Sequence, residues 1–590
     1  MLSIIFVLAL LVLAIFLFST ELLSFDVVAI LLLTALLVSR IVSPEEAFRG
    51  FGSDTVIIIG GLFVLSAALL RTGLMERIGA FLQKHAGDNQ KYLAALIMIT
   101  VALVSAFISN TAATAFFLPA VVALARRAKI SPSKLLMPLA FASILTSSVT
   151  LISTSTNIVV SGLLSNYKME PMGMFELAPV GIPISIAGFI YMFTIGMKMV
   201  PDRDEKKTLA EAYNLRGYLT EVIVLPGSSL IGKTVEKVGP ELNLTIVGLV
   251  KEDGRISVPH PKDVIKDADV LLVEGSAEEI LKIKDAANLE IKADFTLPPG
   301  AFQTEELSLI EAIIMPGSRL RGLTLKQARF RQRYGLSVLA INRQGFTLRS
   351  KLSEIPLRIG DVLLIEGSKN RIQEVIEEGD LSFLGELSEV RARSAKAGWA
   401  LLIFSLTIAL GTFKILPFSS AILLGTLLMF LTKTITPQEA YNAMEWRILI
   451  LIGSMIAFGL AMENSGAAKF VSAQMVNLLG HYGPMAILAG FFVLTVILTQ
   501  PMSNQAAALV LIPVAIQAAN HLNLNPRTFA MMIAVAASCS YLTPLEPSCV
   551  LVYGPGKYKF TDFLKVGSLL TIIIFAIAML LVPYFWPLYE

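Results

Sequence analysis

Cysteine, tryptophan and histidine are scarce in this chain of 590 residues, which holds 2, 3 and 4 of them. Both cysteines, Cys539 and Cys549, fall in one apolar region, so we expect small buried residues and no disulfide framework. The histidines lack the spacing of a metal site. They are His85, His260, His481 and His521. The charged part of the chain also lacks a Gly-x-Gly-x-x-Gly nucleotide loop, so the sequence argues against an enzyme.

Charged residues are few as well, at 16% of the chain against 55% hydrophobic residues. More than half of the lysines and arginines lie between Pro201 and Ala395, in a segment with no apolar run long enough to span a bilayer. The flanking regions hold apolar stretches close to the roughly 20 residues that a spanning helix needs. This distribution excludes a soluble protein. It predicts a membrane repeat at 1–200, an insert at 201–395 and a second membrane repeat at 396–590.

The two membrane regions resemble each other at an offset of about 393 residues. Ser109-Asn110-Thr111 and Ser503-Asn504-Gln505 each interrupt an apolar stretch, and a proline follows each motif, at Pro119 and Pro513. Further matching pairs are 43–48 with 436–441 and 71–73 with 464–466. Two similar membrane halves, each broken by polar residues, are typical of a secondary transporter with one central site.

We predict a helical hairpin at 92–125 and another at 484–518, each folded at its Ser-Asn dipeptide and followed by a broken helix. If both hairpins re-enter the membrane, each half crosses it an odd number of times, so the second half is inverted. Basic residues follow the first hairpin and precede the last span, which assigns these loops to the cytoplasm. They are Arg126, Arg127, Lys129, Lys134, Lys557, Lys559 and Lys565. The insert is then cytoplasmic and both termini are extracytoplasmic.

The polar hairpin tips predict a binding site, because an unpaired polar group in hydrocarbon costs several kcal/mol. Carbonyl and hydroxyl oxygens at a helix break suit a cation, whereas helix N-termini with Asn and Ser donors suit an anion. The alternative is that these residues only cap the helix breaks through hydrogen bonds between helices. Two copies in a repeat favour the binding site.

Each broken helix supplies a second wall of this site. The first is interrupted around Thr150–Asn157, a stretch with six hydroxyl or amide side chains in eight residues and no charge. Such a surface suits an anion held by neutral donors, with sodium supplying the positive charge. The matching stretch Tyr541–Cys549 contains Glu546, a cation ligand or proton carrier. The alternative for Glu546 is a structural carboxylate paired with backbone NH groups.

These motifs together resemble the divalent anion/sodium symporter family, within the wider ion-transporter superfamily, which has Ser-Asn-Thr at two opposed hairpin tips. Thr150–Asn157 is similar to the Thr-Leu-Ile-Gly-Thr-Ser-Thr-Asn stretch of sulfate-type members. The resemblance covers both membrane halves. It implies a homodimer in which a transport domain moves past a fixed scaffold like an elevator. Gln505 in place of Thr, and Glu546 in the second break, depart from the family pattern and weaken the expectation of a dicarboxylate substrate.

The resemblance also implies the positions of the bound ions. The anion would lie between the two tips, near Ser109, Asn110, Thr111, Thr154, Ser155, Thr156, Asn157, Ser503, Asn504, Gln505 and Ser548. Sodium would lie between each tip and its helix break, near Ser109, Asn110, Thr150, Ser153, Ser503, Asn504, Thr543 and Glu546.

The insert contains its own repeat, since Glu221–Leu230 parallels Glu311–Leu320 and Asp269–Gly275 parallels Asp361–Gly367. Apolar strand runs alternate with short helices, which predicts two small α+β domains at 201–297 and 298–395. Both resemble the C-terminal domain of potassium-conductance regulators (RCK-C), which implies pairing and a small effector such as a cyclic dinucleotide. The insert has no Gly-x-Gly-x-x-Gly motif, which argues against NAD.

The second of these units carries a basic cluster that could hold phosphates. Its members are Arg319, Arg321, Arg329, Arg331, Arg333 and Arg343. A solvated or membrane-facing basic surface is the favoured interpretation.

The predicted fold class is an α-helical polytopic membrane protein with inverted repeats and re-entrant hairpins, plus two small α+β cytoplasmic domains. The leading functional hypothesis is sodium-coupled symport of a divalent anion such as sulfate across the plasma (inner) membrane, regulated through the insert. Dicarboxylate transport and proton coupling are alternatives. An insert-gated cation channel or exchanger is disfavoured because two opposed half-sites do not make a continuous filter, and an anion sensor is a further alternative. No nucleic-acid partner is expected.

Overall fold

The structure is a computed structural model that divides the chain into two units, Met1–Arg203 with Glu389–Glu590, and Asp204–Ser388. The described residues are 2–20, 23–72, 78–79, 82, 84–85, 89–167, 169–203, 219–235, 237–238, 245–250, 256–257, 263–267, 269–274, 289–291, 308–315, 318–343, 346–348, 352–367, 371–372, 375, 381–384 and 396–589. The predicted boundary at 297/298 lies outside the described residues, and so does residue 395. The division of the insert into two domains at that boundary stays a prediction.

The first unit is helical, and apart from α14 the described helices follow the same order in its two halves. In the first half these are α1 (Leu2–Thr20), α2 (Phe25–Val38), α3 (Pro44–Arg49), α4 (Asp54–Arg71), α5 (Gln90–Ser105), α6 (Asn110–Arg127), α7 (Ser133–Leu145), α8 (Ser155–Asn166) and α9 (Ala178–Met199, with a π-helical segment Met192–Gly196). In the second half they are α10 (Ala397–Thr412), α11 (Phe418–Leu431), α12 (Pro437–Ala443), α13 (Trp446–Asn464), α14 (Ala467–Leu479), α15 (Pro484–Thr499), α16 (Asn504–His521), α17 (Pro526–Ala537), α18 (Pro547–Tyr553) and α19 (Phe560–Phe585).

Matching caps begin the helices of both halves. Ser43 and Thr436 each form a capping box with the Glu three residues later, and a proline starts the helix in both cases. These contacts satisfy NH groups that are otherwise unpaired at a helix N-terminus. The hairpin helices α6 and α16 begin alike, because the hydroxyls of Ser109 and Ser503 accept hydrogen bonds from the backbone NH three residues later.

Contacts between the two halves come in matched pairs. α2 packs against α13, and its counterpart α11 packs against α4. In the same way α8 packs against α16, and α18 packs against α6. The counterparts α9 and α19 pack against each other. The halves are therefore related by a pseudo-two-fold axis, and the broken helix of each half lies against the hairpin of the other.

The long helix α19 shows that the two hairpins are opposed. Just before its first turn, the Tyr558 hydroxyl accepts from Met137 N (2.8 Å) and donates to Ser133 O, in the segment that follows the first hairpin. At its far end, Thr528 Oγ1 donates to Trp586 O (2.9 Å) just after the second hairpin. The 26 residues of α19 make a helix about 39 Å long. The hairpins thus start from opposite ends of the unit, and the repeats are inverted.

Four helices in the described part of the chain are long and apolar enough to cross a membrane. They are Pro44–Arg71, Ala178–Met199, Trp446–Asn464 and Phe560–Phe585. The hairpin and broken-helix segments α5, α7, α8, α15 and α17 are shorter apolar helices, as re-entrant and broken helices are. The predicted class of α-helical polytopic membrane protein is confirmed.

The second unit contains two antiparallel five-stranded sheets with the same topology, β3-β2-β4-β1-β5 and β10-β6-β9-β7-β8. The strands are β1 (Leu219–Val224), β2 (Thr245–Val250), β3 (Ile256–Ser257), β4 (Val270–Glu274), β5 (Leu289–Ile291), β6 (Ser308–Ile314), β7 (Ser337–Arg343), β8 (Phe346–Thr347), β9 (Val362–Gly367) and β10 (Leu381–Leu384). One face of the second sheet, including Leu363 and Ile365, packs with Phe330 and Tyr334 of a short helix into an apolar core. Both sheets are of the α+β type that the insert repeat predicts.

One prediction about the first broken helix needs correction. α7 ends at Leu145 and α8 begins at Ser155, so the break covers 146–154 and not Thr150–Asn157. The cause is the capping preference of threonine, because Thr154 takes the N-cap position and starts the helix earlier than the density of polar residues suggests.

Candidate functional site

Asn110, the first residue of α6, lies in a buried polar network at the tip of the first hairpin. Its side-chain amide is 2.6 Å from Ser147 Oγ and 3.1 Å from Ser105 Oγ. With the amide nitrogen facing Ser143 O (3.1 Å) and Ser153 O (3.3 Å), the amide oxygen accepts from the Ser147 hydroxyl. This orientation gives both amide atoms partners. Asn110 therefore ties the hairpin tip to the break between α7 and α8.

The break 146–154 is folded around its own carbonyl groups. Ser153 Oγ donates to Ser147 O (2.5 Å) and Thr150 O (2.8 Å), and Asn157 Nδ2 donates to the same two oxygens (2.7 and 3.0 Å). Thr150 Oγ1 donates to a carbonyl of the hairpin tip. Asn157 is buried, and its Oδ1 has no hydrogen-bond partner within the described chain. The loop thus collects carbonyl, hydroxyl and amide oxygens, which are the ligands that sodium takes in broken transporter helices.

The second half repeats this arrangement with equivalent residues. Ser540 Oγ donates to Asn504 Oδ1 (2.9 Å), which ties the second hairpin tip to the second break. Thr543 Oγ1 donates to Gln500 Oε1 (2.9 Å). The equivalent hydroxyl of the first half, that of Thr150, donates to a backbone carbonyl instead. Each half therefore has a half-site, which is a network of hydroxyl and amide groups between its hairpin tip and its own helix break.

Glu546 occupies the position that Ser153 has in the first half, and it caps α18. Its Oε2 accepts from Ser548 N (2.7 Å) and Cys549 N (3.1 Å), and its Oε1 accepts from Ser548 Oγ (3.2 Å). A carboxylate at this place is stabilised by the NH groups of the helix N-terminus. These contacts support a structural carboxylate over a cation ligand or proton carrier.

The tip of the second hairpin touches the broken helix of the first half. Gln505 Nε2, in the first turn of α16, donates to Ser155 Oγ in the first turn of α8 (2.6 Å), and both side chains are half-buried. Thr154 Oγ1 caps α8 by accepting from Thr156 N (3.4 Å). Two helix N-termini and several neutral donors therefore converge here, an arrangement that suits an anion.

Two equivalent glycines bring the terminal helices close to the breaks. A Cβ atom on Gly181 of α9 would collide with the carbonyl of Ser148, and one on Gly567 of α19 would collide with the carbonyl of Tyr541. Glycine at both places lets the helix backbone touch the backbone of the break. The breaks are thus supported on one side by hairpin tips and on the other by α9 and α19.

The remaining predicted site residues lie around these two networks. Ser109 is exposed and Thr111 is half-buried at the first tip, and Ser503 and Asn504 are half-buried at the second. Ser548 is buried, and its hydroxyl donates to Glu546.

Sequence reasoning missed four polar residues of the networks. They are Ser105, Ser147, Gln500 and Ser540. Ser147 and Ser540 are 393 residues apart, which is the offset of the repeat. Extending the repeat alignment a few residues upstream of the polar stretches Thr150–Asn157 and Tyr541–Cys549 would have found this pair.

The arginines of the insert do not all belong to one basic surface. Arg343 forms a bidentate ion pair with the buried Asp361 (Nε–Oδ1 2.8 Å, Nη2–Oδ2 2.7 Å), so its inclusion in the cluster was wrong. Arg333 lies over the ring of Tyr334, 5.2 Å from its centre. The other predicted effector residues are exposed on the second sheet domain. They are Arg319, Arg321, Arg329 and Arg331.

The citrate transporter family model (CitMHS) matches residues 15–536. The chain belongs to the citrate transporter family. An uncharacterised transporter of Synechocystis sp. is 35% identical, over 98% of this chain and 96% of that protein. The uncharacterised transporter YfbS of Escherichia coli is 31% identical over 99% of both chains. Sodium/sulfate cotransporter 2 of Chlamydomonas reinhardtii is 26% identical, over 60% of this chain and 42% of that protein.

This member of the citrate transporter family is a transporter and not an enzyme, as predicted. The predicted resemblance to the ion-transporter superfamily is also confirmed, since citrate and sodium/sulfate transporters both appear among the matches. The resemblance of the insert to regulators of potassium conductance stays a prediction.

Proposed function

We propose that this transporter is a sodium-coupled symporter of a divalent oxyanion such as sulfate. The observation that carries the proposal is the 2.6 Å contact between Gln505 and Ser155, where two helix N-termini meet beside a loop rich in oxygen ligands. Donors without charge bind a dianion best when a cation lies nearby, and sodium supplies that charge. The name of the Chlamydomonas sodium/sulfate cotransporter supports the same pairing of ions. Dicarboxylates are the second choice.

The anion would bind at the convergence of α8 and α16. Both hairpin tips contribute donors, and the first turn of α8 contributes hydroxyl groups. The residues are Ser109, Asn110, Thr111, Thr154, Ser155, Thr156, Ser503, Asn504 and Gln505. Asn157 and Ser548 were also expected here, but the amide nitrogen of Asn157 and the hydroxyl of Ser548 are bound to the helix breaks.

Sodium would bind best in the first half-site. Asn157 Oδ1 is a buried acceptor without a partner among the described atoms, and the Thr150 and Ser153 hydroxyls keep lone pairs after donating their hydrogens. Asn110 completes this group. In the second half-site the carboxylate of Glu546 is bound to helix NH groups. That site would rely on Thr543, Asn504 and Ser503.

An elevator-type motion is supported by two groups of helices within the unit. Helices α1–α4 and α10–α13 pack mainly among themselves, and so do α5–α9 and α15–α19, which contain both half-sites. We propose that the first group is a fixed scaffold through which a homodimer forms, as the family resemblance implies. The second group would then carry the ions across the membrane.

The orientation in the plasma membrane follows from where the basic residues lie. Segments 126–134 and 557–565 are at the same end of α19 as the start of the insert, because Arg203 pairs with Asp562 (3.1 Å). Lysines and arginines are concentrated at that end, which the positive-inside rule assigns to the cytoplasm. The insert would be cytoplasmic and the C-terminus, beside Thr528, would be outside.

Regulation through the insert is supported by the attachment of its two ends. The connector, residues 200–203, accepts hydrogen bonds from Ser133 and Lys134 at the start of α7, and its Arg203 pairs with Asp562. After the insert in sequence, Lys396 Nζ donates to the carbonyls of Thr432 and Lys433, which follow the end of α11. The insert thus joins the ion-carrying group to the scaffold. A small effector bound there, a cyclic dinucleotide for example, would restrain their relative motion.

The decisive experiment is uptake of labelled sulfate into proteoliposomes with and without an inward sodium gradient. Unlabelled dicarboxylates serve as competitors, and an inward proton gradient is tested separately. Sodium-driven uptake is expected. Uptake driven by protons alone would overturn sodium coupling and return Glu546 to the role of proton carrier, and uptake of neither class of anion would overturn the symporter proposal.

We expect Asn110→Ala to lower sodium-driven uptake at least 100-fold, because it removes the amide that joins the hairpin tip to the break. Asn89→Ala is the matched control, since Asn89 is an exposed N-cap of α5. The control loses about 1 kcal/mol of helix capping and keeps its uptake. Equal uptake by the two variants, at equal amounts of folded protein, would contradict the site assignment.

A further inference from the structure

We infer that Gln505 sets the upper size limit of the transported anion and selects small tetrahedral oxyanions over dicarboxylates and citrate. The inference rests on the proposed anion site and gives that site its substrate class. The Gln505 amide crosses the gap between the two helix N-termini where the anion would bind. A longer anion would need that space.

The hydrogen bond between Gln505 and Ser155, which we call the bridge, is made by residues that the fold holds in place. Gln505 follows Asn504, whose side chain is bound to Ser540 at the second break (2.9 Å). Ser155 follows Thr154, the N-cap of α8. Because α8 and α16 pack directly against each other, the amide and the hydroxyl meet at 2.6 Å although they are 350 residues apart in sequence.

The equivalent position in the other half is built differently. The counterpart of Gln505 is Thr111 at the start of α6, and the counterpart of Ser155 is Ser548 at the start of α18. The Ser548 hydroxyl donates to Glu546 instead (3.2 Å). Although α6 and α18 pack together in the same way, the described residues place a long amide side chain across only one of the two gaps.

The bridge also supplies the right chemistry for a small oxyanion. When an anion oxygen arrives, the Gln505 NH2 group and the Ser155 hydroxyl can both turn their hydrogens to it, so one contact within the protein is exchanged for two with the ligand. A tetrahedral oxyanion satisfies both donors from one side of the bridge. A dicarboxylate has a carbon chain that must pass the amide, which leaves a donor unpaired or forces the side chain away.

The test compares sulfate and succinate in three full-length variants. Gln505→Thr shortens the bridge, Ser155→Ala removes its acceptor without changing its length, and Gln438→Thr is the control at an exposed position of α12. In Gln505→Thr we expect the ratio of succinate to sulfate affinity, from competition in uptake, to rise at least tenfold. Ser155→Ala should weaken sulfate without favouring succinate, and the control should leave the ratio unchanged.

A second readout separates this inference from the proposed function. The melting temperature of each purified protein is measured in sodium buffer with and without each anion. Its increase reports anion binding and does not require transport. One outcome is that wild type takes up no sulfate while Gln505→Thr still increases the thermal stabilisation by succinate relative to that by sulfate. In that case the symporter proposal fails and the size limit stands. An unchanged ratio in both readouts, with the variant folded, would overturn the role of Gln505. Equal binding of citrate and sulfate by wild type would overturn it as well.

Discussion

Glu366, near the end of β9, is a buried carboxyl group without a hydrogen-bond partner among the described residues. Only 1% of the residue is exposed, and its neighbours across the sheet are Leu309 and Ser337, which carry no charge. Burial raises the pKa of Glu366 from the ordinary 4.5 to about 7, and the nearby charge of Arg331 counteracts this only in part. The insert thus contains an ionisable group that titrates near neutral pH.

The stability of the insert should therefore fall between pH 4.5 and about 7 and stay low above that. In this range the folded state binds more protons than the unfolded state, so raising the pH favours unfolding. Glu366→Gln should remove this slope and stabilise the insert at pH 8, by at most about 3 kcal/mol. Hydrogen exchange of β9 in the full-length chain at pH 5 and pH 8 measures the difference.

Glu354→Gln, at an exposed position of the same unit, is the control and should leave this exchange unchanged. A Glu366→Gln protein with wild-type exchange at both pH values would show that the carboxyl group ionises without cost in the folded state.

Residue by residue, the sequence predicts the site unevenly. Asn110 and Asn504 stand out because a polar dipeptide in an apolar run is rare, and both lie where the repeat predicts. Ser147 lies upstream of the polar stretch and carries no such signal on its own. The Gln505–Ser155 contact joins residues from different halves, so it depends on how the halves pack and not on any local pattern. Local capping rules predict helix ends well, whereas contacts between repeats need the fold.

Among the elements, the connector 200–203 has the clearest mechanical role. It continues α9, whose last part includes the π-helical segment Met192–Gly196, and it is bound to the start of both α7 and α19. π-Helical turns are rare, and they occur often at functional sites. A shift of α7, which precedes the first break, would therefore displace the connector that leads into the insert.

We expect sodium and sulfate together to change the hydrogen exchange of the insert, because coupling between two sites is reciprocal. Arg203→Ala combined with Ser133→Ala should remove that response, since it releases the connector. The matched control is Arg527→Ala, which breaks an ion pair with Glu176 (2.5 Å) at the opposite end of the unit. The control should keep the response. Identical responses in both variants would show that the connector does not couple ion binding to the insert.

At the scale of the whole molecule, the two groups of helices meet at few places. One is Gly162 of α8, whose added Cβ would lie 2.8 Å from Thr55 Cβ of α4. In contrast, Gly61 and Ile422 lie in α4 and α11, within the scaffold group, and their Cβ atoms would be 3.7 Å apart. Disulfides need Cβ atoms about 3.5–4.5 Å apart, so both pairs can be bridged, the first after a slight separation of its helices.

We expect oxidation of the Thr55→Cys, Gly162→Cys protein to reduce uptake at least tenfold, because the bridge fixes one group on the other. Reduction should restore uptake, which separates immobilisation from misfolding. The Gly61→Cys, Ile422→Cys protein should transport whether oxidised or reduced. Full uptake by the first variant, with cross-linking verified by mass spectrometry, would contradict an elevator-type motion.

The exchange of contacts between the halves also has a consequence for synthesis on the ribosome. The hairpin helix α6 lies against α18, and α8, which follows the first break, lies against α16, so neither packing contact exists when the first half enters the membrane. Residues 204–388 must be translated in between, which takes about 10–40 s at common rates. Asn110 already has its hydrogen-bond partners during that time, because Ser105, Ser143, Ser147 and Ser153 all belong to the first half. The nascent first half can therefore close its own polar network, while the faces of α6 and α8 that later meet the second half stay unpacked until α16 and α18 have been made.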